Sequence, residues 1–105
     1  CNMTMTTDEI SFALISKAGT AFSMMIEALG DAREKDFEKA EEKKQEAEAL
    51  MNEAHNLQTN LIVNEVNGDD NQINALLIHA QDTLMNTILM STIVDEFLNL
   101  YKAGE

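Results

Sequence analysis

Two short stretches hold most of the residues in this chain that could do chemistry. One is His79-Ala80-Gln81-Asp82-Thr83-Leu84-Met85, set inside the apolar run INALLIHAQDTLMNTILM. The other is Ala54-His55-Asn56-Leu57-Gln58-Thr59. Together they contain both histidines. Imidazole is nucleophilic when neutral, and a reference pKa of about 6.5 leaves much of it neutral near pH 7. A ring nitrogen can attack a phosphoryl donor and form a phosphoramidate, a covalent intermediate. Such transfer needs mainly positioning and electrostatic stabilisation. Hydroxyls, amides and helix N-terminal NH groups can supply the latter, and Thr83 and Thr59 are the nearby hydroxyls. The competing view is that a lone histidine on an apolar helix is a satisfied core residue. Gln81 and Asp82 weigh against it, because clustered buried polar groups each need a partner.

On a helix each residue advances by about 100°. Asp82 then lies about 60° around from His79 and Thr83 about 40° to the other side, so the three share a broad face. Gln81 projects about 160° away, toward a different neighbour. Asp82 reads either as a solvated carboxylate or as a metal ligand. One carboxylate is weak evidence, but copies converging on a threefold axis would have to bind a cation or share protons. In the second stretch His55, Gln58 and Thr59 fall at i, i+3 and i+4, again one face. That face is either an exposed polar strip or part of a site. No P-loop, GxGxxG, HExxH or zinc spacing is present.

The elements that must carry these residues are helices. The chain has 105 residues, no proline and only four glycines. Thr6 and Glu9 form a capping box, with Met5 and Ile10 in the staple positions. Apolar residues then recur at 3–4 spacing from Ile10 to Ala28, beside a second stripe of Phe12, Ile15, Phe22, Ile26 and Leu29. Gly30 and Asp31 loosen that pattern. Asp36 is a second N-cap, and Asn67-Gly68-Asp69-Asp70-Asn71 is a break made of turn residues. The expected fold is all-α, a single domain over 1–105. It is an antiparallel up-down-up three-helix bundle with helices at about 6–30, 36–66 and 72–103. The charge-rich EKAEEKKQEAEA in helix two reads as a solvated face. Helix three is apolar nearly all round, more than a three-helix bundle requires, which predicts a homo-oligomer with that helix at the interface.

A net charge of −12 disfavours nucleic acid, which needs a basic footprint. It equally disfavours an anionic lipid surface. A basic protein partner fits better. One cysteine cannot close an intrachain disulfide, which suits a cytoplasmic protein. Cys1 precedes Met3 and Met5 and reads as a residue foreign to the natural start, with a lipidated N-terminus as the other reading. No unbroken apolar run reaches the ~18 residues of a spanning helix, so no transmembrane segment is expected.

Four landmarks carry a resemblance over about residues 10–102. They are Ala18-Gly19 followed by Glu27-Ala28-Leu29, Asp36-Phe37, Ala54-His55 with Gln58-Thr59, and His79-x-Gln81-Asp82-x-Leu84-Met85. The chain resembles the IIA component of the lactose/cellobiose-type sugar phosphotransferase system. The resemblance implies that His79 accepts a phosphoryl group from the phosphocarrier HPr, as a tele-phosphohistidine. The group then passes to a cysteine of the IIB component, which phosphorylates an incoming disaccharide of the lactose, cellobiose or chitobiose class. It further implies a homotrimer in which Asp82 meets its copies around a divalent metal, and oxygen ligands suit Mg2+. By the same match Gln81, Thr83, His55 and Gln58 are supporting residues, and the membrane is reached only through the IIC transporter. Two positions depart from the pattern. Thr83 stands where a second histidine is usual, and Lys35 where a glycine usually precedes Asp-Phe. Outside the resemblance, a scaffold oligomer without chemistry and a histidine-phosphotransfer domain of two-component signalling also fit the residues.

Overall fold

The computed structural model describes residues 5–68 and 70–104; Cys1, Met3 and Asp69 lie outside the described residues. Three helices run in order, α1 (Thr7–Arg33), α2 (Phe37–Val66) and α3 (Ala75–Ala103). They form an elongated bundle of 53 × 28 × 19 Å. The side-chain ties give the directions. Lys17 of α1 pairs with Glu53 of α2 at 2.9 Å, and Lys43 of α2 with Asp31 of α1 at 2.8 Å, so these two run antiparallel. Gln58 meets Gln81, while Lys44 pairs with Asp95 and Lys102 with Glu41, so α2 and α3 are antiparallel too. Thr87 reaches the Ala18 carbonyl of α1, which α3 therefore parallels.

α1 lies between the other two, and α2 and α3 touch each other only sparsely. This accounts for its wide apolar face. Its innermost positions, Leu14, Ala18, Ala21, Met25 and Ala28, are fully enclosed. Small residues dominate the contacts, including Ala40, Ala47, Ala54 and Ala80. They let the helix backbones approach closely, while Leu14, Leu61, Leu77 and Leu84 fill the half of the core nearest the candidate site. By length and composition α1 could cross a membrane, since its most apolar window has a mean hydropathy of 1.3. Scattered polar residues interrupt every apolar run of α1 without lowering its average hydropathy below that of a spanning helix. In this structure α1 is the shared core helix.

Helix ends follow local chemistry. Thr6 accepts from Glu9 N at 3.1 Å and Glu9 Oε1 accepts from Thr6 N at 2.9 Å, which is the expected capping box. Those bonds, backbone first, hold the Glu9 carboxyl below its usual range.

Three expectations need correction. First, α1 does not stop at Gly30 but continues to Arg33. One helical glycine costs only about 1 kcal/mol, and Ala32 is buried beyond it. The turn is then closed by Lys35 N to Ala32 O at 2.9 Å and Asp36 N to Asp31 O at 2.9 Å. That pair is a Schellman arrangement. It places Lys35 at φ 66°, in the left-handed region that favours glycine. The departure at Lys35 therefore has a conformational cost. Second, α3 begins at Ala75 rather than near 72, because Asn74 Oδ1 accepts from Leu77 N at 2.9 Å as N-cap. Asn71, just upstream, is occupied in donating to Leu61 O at 3.0 Å. Ile73, the first residue of the apolar run, is left exposed. Third, the charge-rich run of α2 is not simply solvated. Lys44 is buried, with its ammonium 2.5 Å from Glu48, 2.8 Å from Asp95 and 3.0 Å from Ser91 Oγ. Periodicity gives little warning of this, because a lysine between lysines and glutamates looks like surface.

Candidate functional site

His79 sits in the second turn of α3, four residues after its first helical position, and is exposed. Its imidazole has no hydrogen-bond partner among the described residues. The turn before it contains no acidic residue. The exposed NH groups of a helix N-terminus favour negative charge, so this end of an acidic protein is locally suited to an anion. Asp82 is exposed beside it, and its Oδ2 accepts a long 3.4 Å bond from Asn86 Nδ2.

Thr83 is half-buried, and its hydroxyl donates to the His79 carbonyl at 2.8 Å. Thr87, buried one turn further, donates toward Thr83 O at 2.8 Å and Ala18 O at 3.2 Å. The two threonines thus form a ladder under His79 that ends on α1. Thr59 likewise donates to His55 O at 3.0 Å. The sequence reading offered both hydroxyls as donors to a transferred group. In the structure each proton is committed to the carbonyl four residues back, the usual behaviour of a mid-helix threonine.

Gln81 points toward α2, as its angle implies. Its Oε1 accepts from Gln58 Nε2 at 2.8 Å, and the same nitrogen lies 3.6 Å from Met85 Sδ. Gln58 is buried, whereas His55 and Thr59 are exposed, so the second polar stretch does not act as one face. Gln58 joins the first stretch and His55 stays outside any hydrogen bond with it. Gln81 also lines a hollow of about 180 Å³ between the end of α2 and the start of α3, with Leu61, Ile62, Leu77 and Ile78. Sequence reasoning missed Met85, Thr87 and Lys44 as parts of the framework. Only the i+4 spacing from Thr83 to Thr87 hinted at one of them.

Among the described residues of one chain, no three His, Cys, Asp or Glu side chains converge as a metal site. Asp82 contributes a single exposed oxygen ligand. That fits a hard cation only where several copies of the chain bring their Asp82 carboxylates together. α3 also exposes Ile78, Met85, Leu89, Phe97 and Leu100, more apolar surface than scattered single residues would give.

With this geometry in view, the similarities to known proteins become informative. The family described as PTS system, Lactose/Cellobiose specific IIA subunit, matches residues 9–102. The lactose-specific EIIA component of Staphylococcus epidermidis is 38% identical over 103 residues, covering 95% of this chain and 99% of the relative. The crystal structure of the PTS cellobiose-specific enzyme IIA from Bacillus anthracis superposes with a TM-score of 0.90 at 42% identity, covering 96% of this chain and 93% of that one. The IIA(chitobiose) protein of Escherichia coli, whose solution structure is of a complex with HPr, gives 0.78 at 28% identity, covering 95% and 97%. This chain belongs to the lactose/cellobiose-specific IIA subunit family of the phosphotransferase system.

Proposed function

We propose that this chain is a phosphocarrier that receives a phosphoryl group on His79 from phospho-HPr and delivers it to a cysteine of a IIB component. The observation that carries the reading is the placement of His79. In a member of this family, the histidine of HxQDxLM is exposed at the N-terminal end of α3. In the first step the lone pair of neutral His79 Nε2 attacks phosphorus, a new P–N bond forms, and the bond to the donor breaks. The proton on Nδ1 stays with His79. In the second step a thiolate attacks the same phosphorus and the P–N bond breaks, returning the imidazole. The family relative solved with HPr supports the choice of donor.

The same reading makes the protein a cytoplasmic homotrimer that meets the membrane only through its IIC transporter. Its exposed α3 residues would cover one another between subunits. Asp82 would hold a divalent cation, Mg2+ by ligand type, between the copies. Such an ion would offset the repulsion of three carboxylates and hold the subunits together. The disaccharide is of the lactose, cellobiose or chitobiose class. A scaffold without chemistry would be favoured by a histidine sealed in the core, and His79 is not sealed.

The test is incubation with labelled phosphoenolpyruvate, enzyme I and HPr. One acid-labile phosphate per chain is expected, absent in His79→Ala. A wild-type chain that stays unlabelled would overturn the proposal.

A further inference from the structure

α3 is apolar on nearly every side, which leaves its rotation about its own axis poorly specified by hydrophobic burial. Leu77, Ala80, Leu84, Val94 and Leu98 are buried, yet Ile78, Met85, Leu89, Phe97 and Leu100 stand exposed. Burial is non-directional, so a rotated α3 would exchange one apolar set for another. What rotation would not preserve is the polar ties. Gln58 of α2 gives its amide protons to Gln81 Oε1 at 2.8 Å and toward Met85 Sδ at 3.6 Å. Lys44 of α2 donates to Ser91 Oγ at 3.0 Å and pairs with Asp95 at 2.8 Å. Both are buried on the inner side of α2.

The sense of these bonds is fixed. A thioether sulfur only accepts and an ammonium only donates. The Gln58 NH2 must therefore face Met85, and Gln81 must turn its carbonyl oxygen inward to meet it. α3 must present acceptors at two levels, around Gln81 and around Ser91. Ile78, Leu89, Phe97 and Leu100 would present none if turned inward, leaving the buried Gln58 NH2 without Gln81 and the Lys44 ammonium with only Glu48 of its own helix.

We propose that Gln58 and Lys44 are positioning residues for His79 that lock the rotation of α3 and so set the direction in which the imidazole leaves the bundle. The inference rests on the phosphoryl-transfer role of His79, although the rotation itself can be observed without it. His79 is two positions from Gln81 on one helix, so any rotation is passed directly to the ring. A turn of about 20° moves an atom ~6 Å from the axis by about 2 Å. Displacements of about 1 Å can cost a hundredfold in a reaction that depends on alignment.

The experiment is the double variant Gln58→Leu/Lys44→Met in the full chain, with Gln58→Leu alone beside it. The thermal midpoint is expected to hold or rise, since replacing buried polar ties by apolar side chains is often neutral or stabilising. The backbone amide resonances of residues 75–90 are expected to broaden or double. Transfer from saturating phospho-HPr is expected to fall about tenfold or more, with little change in KM. Gln58→Leu alone gives the same changes in smaller size. Single sharp α3 resonances in the double variant, transfer at the wild-type rate, or loss of the fold would each overturn the lock. A wild-type chain that takes no phosphate would instead remove the proposed function, and the resonances would then decide the lock alone.

Discussion

Replacing Lys44 by alanine and by methionine separates what its stem contributes from what its charge contributes. The side chain is buried to 2% exposure, but its carboxylate partners Glu48 and Asp95 are 47% and 51% exposed. Water reaches those carboxylates and screens the pairs, so they offset the cost of burying an ammonium without a large surplus. Alanine removes about three buried methylenes, worth about 2.4 kcal/mol, and adds a cavity cost. Lys44→Ala should therefore lose about 2–4 kcal/mol. Methionine keeps most of the stem, and the carboxylates it leaves behind can hydrate, so Lys44→Met should stay within about 1 kcal/mol of wild type.

At about 4–8 °C per kcal/mol for a domain of this size, the alanine variant should melt at least about 4 °C below the methionine variant. Thermal unfolding at one protein concentration reads this directly. The pH dependence has a definite sign. Burial pulls the Lys44 ammonium down, but the pairs with Asp95 and Glu48 outweigh it and raise its pKa above the usual lysine value. Its contribution is therefore complete below about pH 10.4 and is lost as pH rises through the higher folded value. Wild type should lose more stability than Lys44→Met in that alkaline range. Methionine melting as low as alanine, or the two alkaline limbs coinciding, would refute the view that the charge is only offset and the stem stabilises.

Other predictions concern the departures from the family pattern and the metal. Lys35→Gly relieves a left-handed residue costing about 1–2 kcal/mol and gives back about 0.4–1 through the freer unfolded chain, so denaturant unfolding should show a gain of up to about 1.6 kcal/mol. A loss would mean that the Lys35 side chain makes a favourable contact that outweighs the strain. Thr83→His should lengthen the lifetime of the phosphorylated protein or speed its transfer, measured by decay and chase of label, and identical kinetics would show that this position does not influence the phosphoryl group. If Asp82 holds a cation between copies, a chelator should lower the thermal midpoint of wild type but not of Asp82→Asn, and a shared response would place any metal elsewhere.

Much of this was legible in the sequence because it depends on local chemistry. The capping box at Thr6 and Glu9, the cap at Asp36, the turn residues after Asn67 and the 3–4 spacing of Ile10, Leu14 and Ala18 each state their role within a few positions. The angle of Gln81 correctly sent it toward another helix. What was not legible depends on a second helix. Gln58 is buried and His55 is not, although both sit in one polar stretch, because α3 covers only one of them. Lys44 is indistinguishable from its neighbours until Asp95 and Ser91 arrive from about 50 residues away. The Thr83 hydroxyl looked available because a sequence does not display the backbone carbonyl it bonds. The strain at Lys35 is hidden for a related reason, since it comes from a closing turn whose hydrogen bonds span Asp31 to Asp36.

The central claim is that His79 carries the phosphoryl group, and the chain offers only two histidines to choose between. The most direct measurement is long-range proton–nitrogen NMR on the chain after phosphorylation by enzyme I and HPr, with phosphorus coupling resolved at each ring nitrogen. The account predicts phosphorus on Nε2 of His79, an unmodified His55, and return of the free spectrum when a IIB component is added. Phosphorus on His55, or on neither ring, would contradict it.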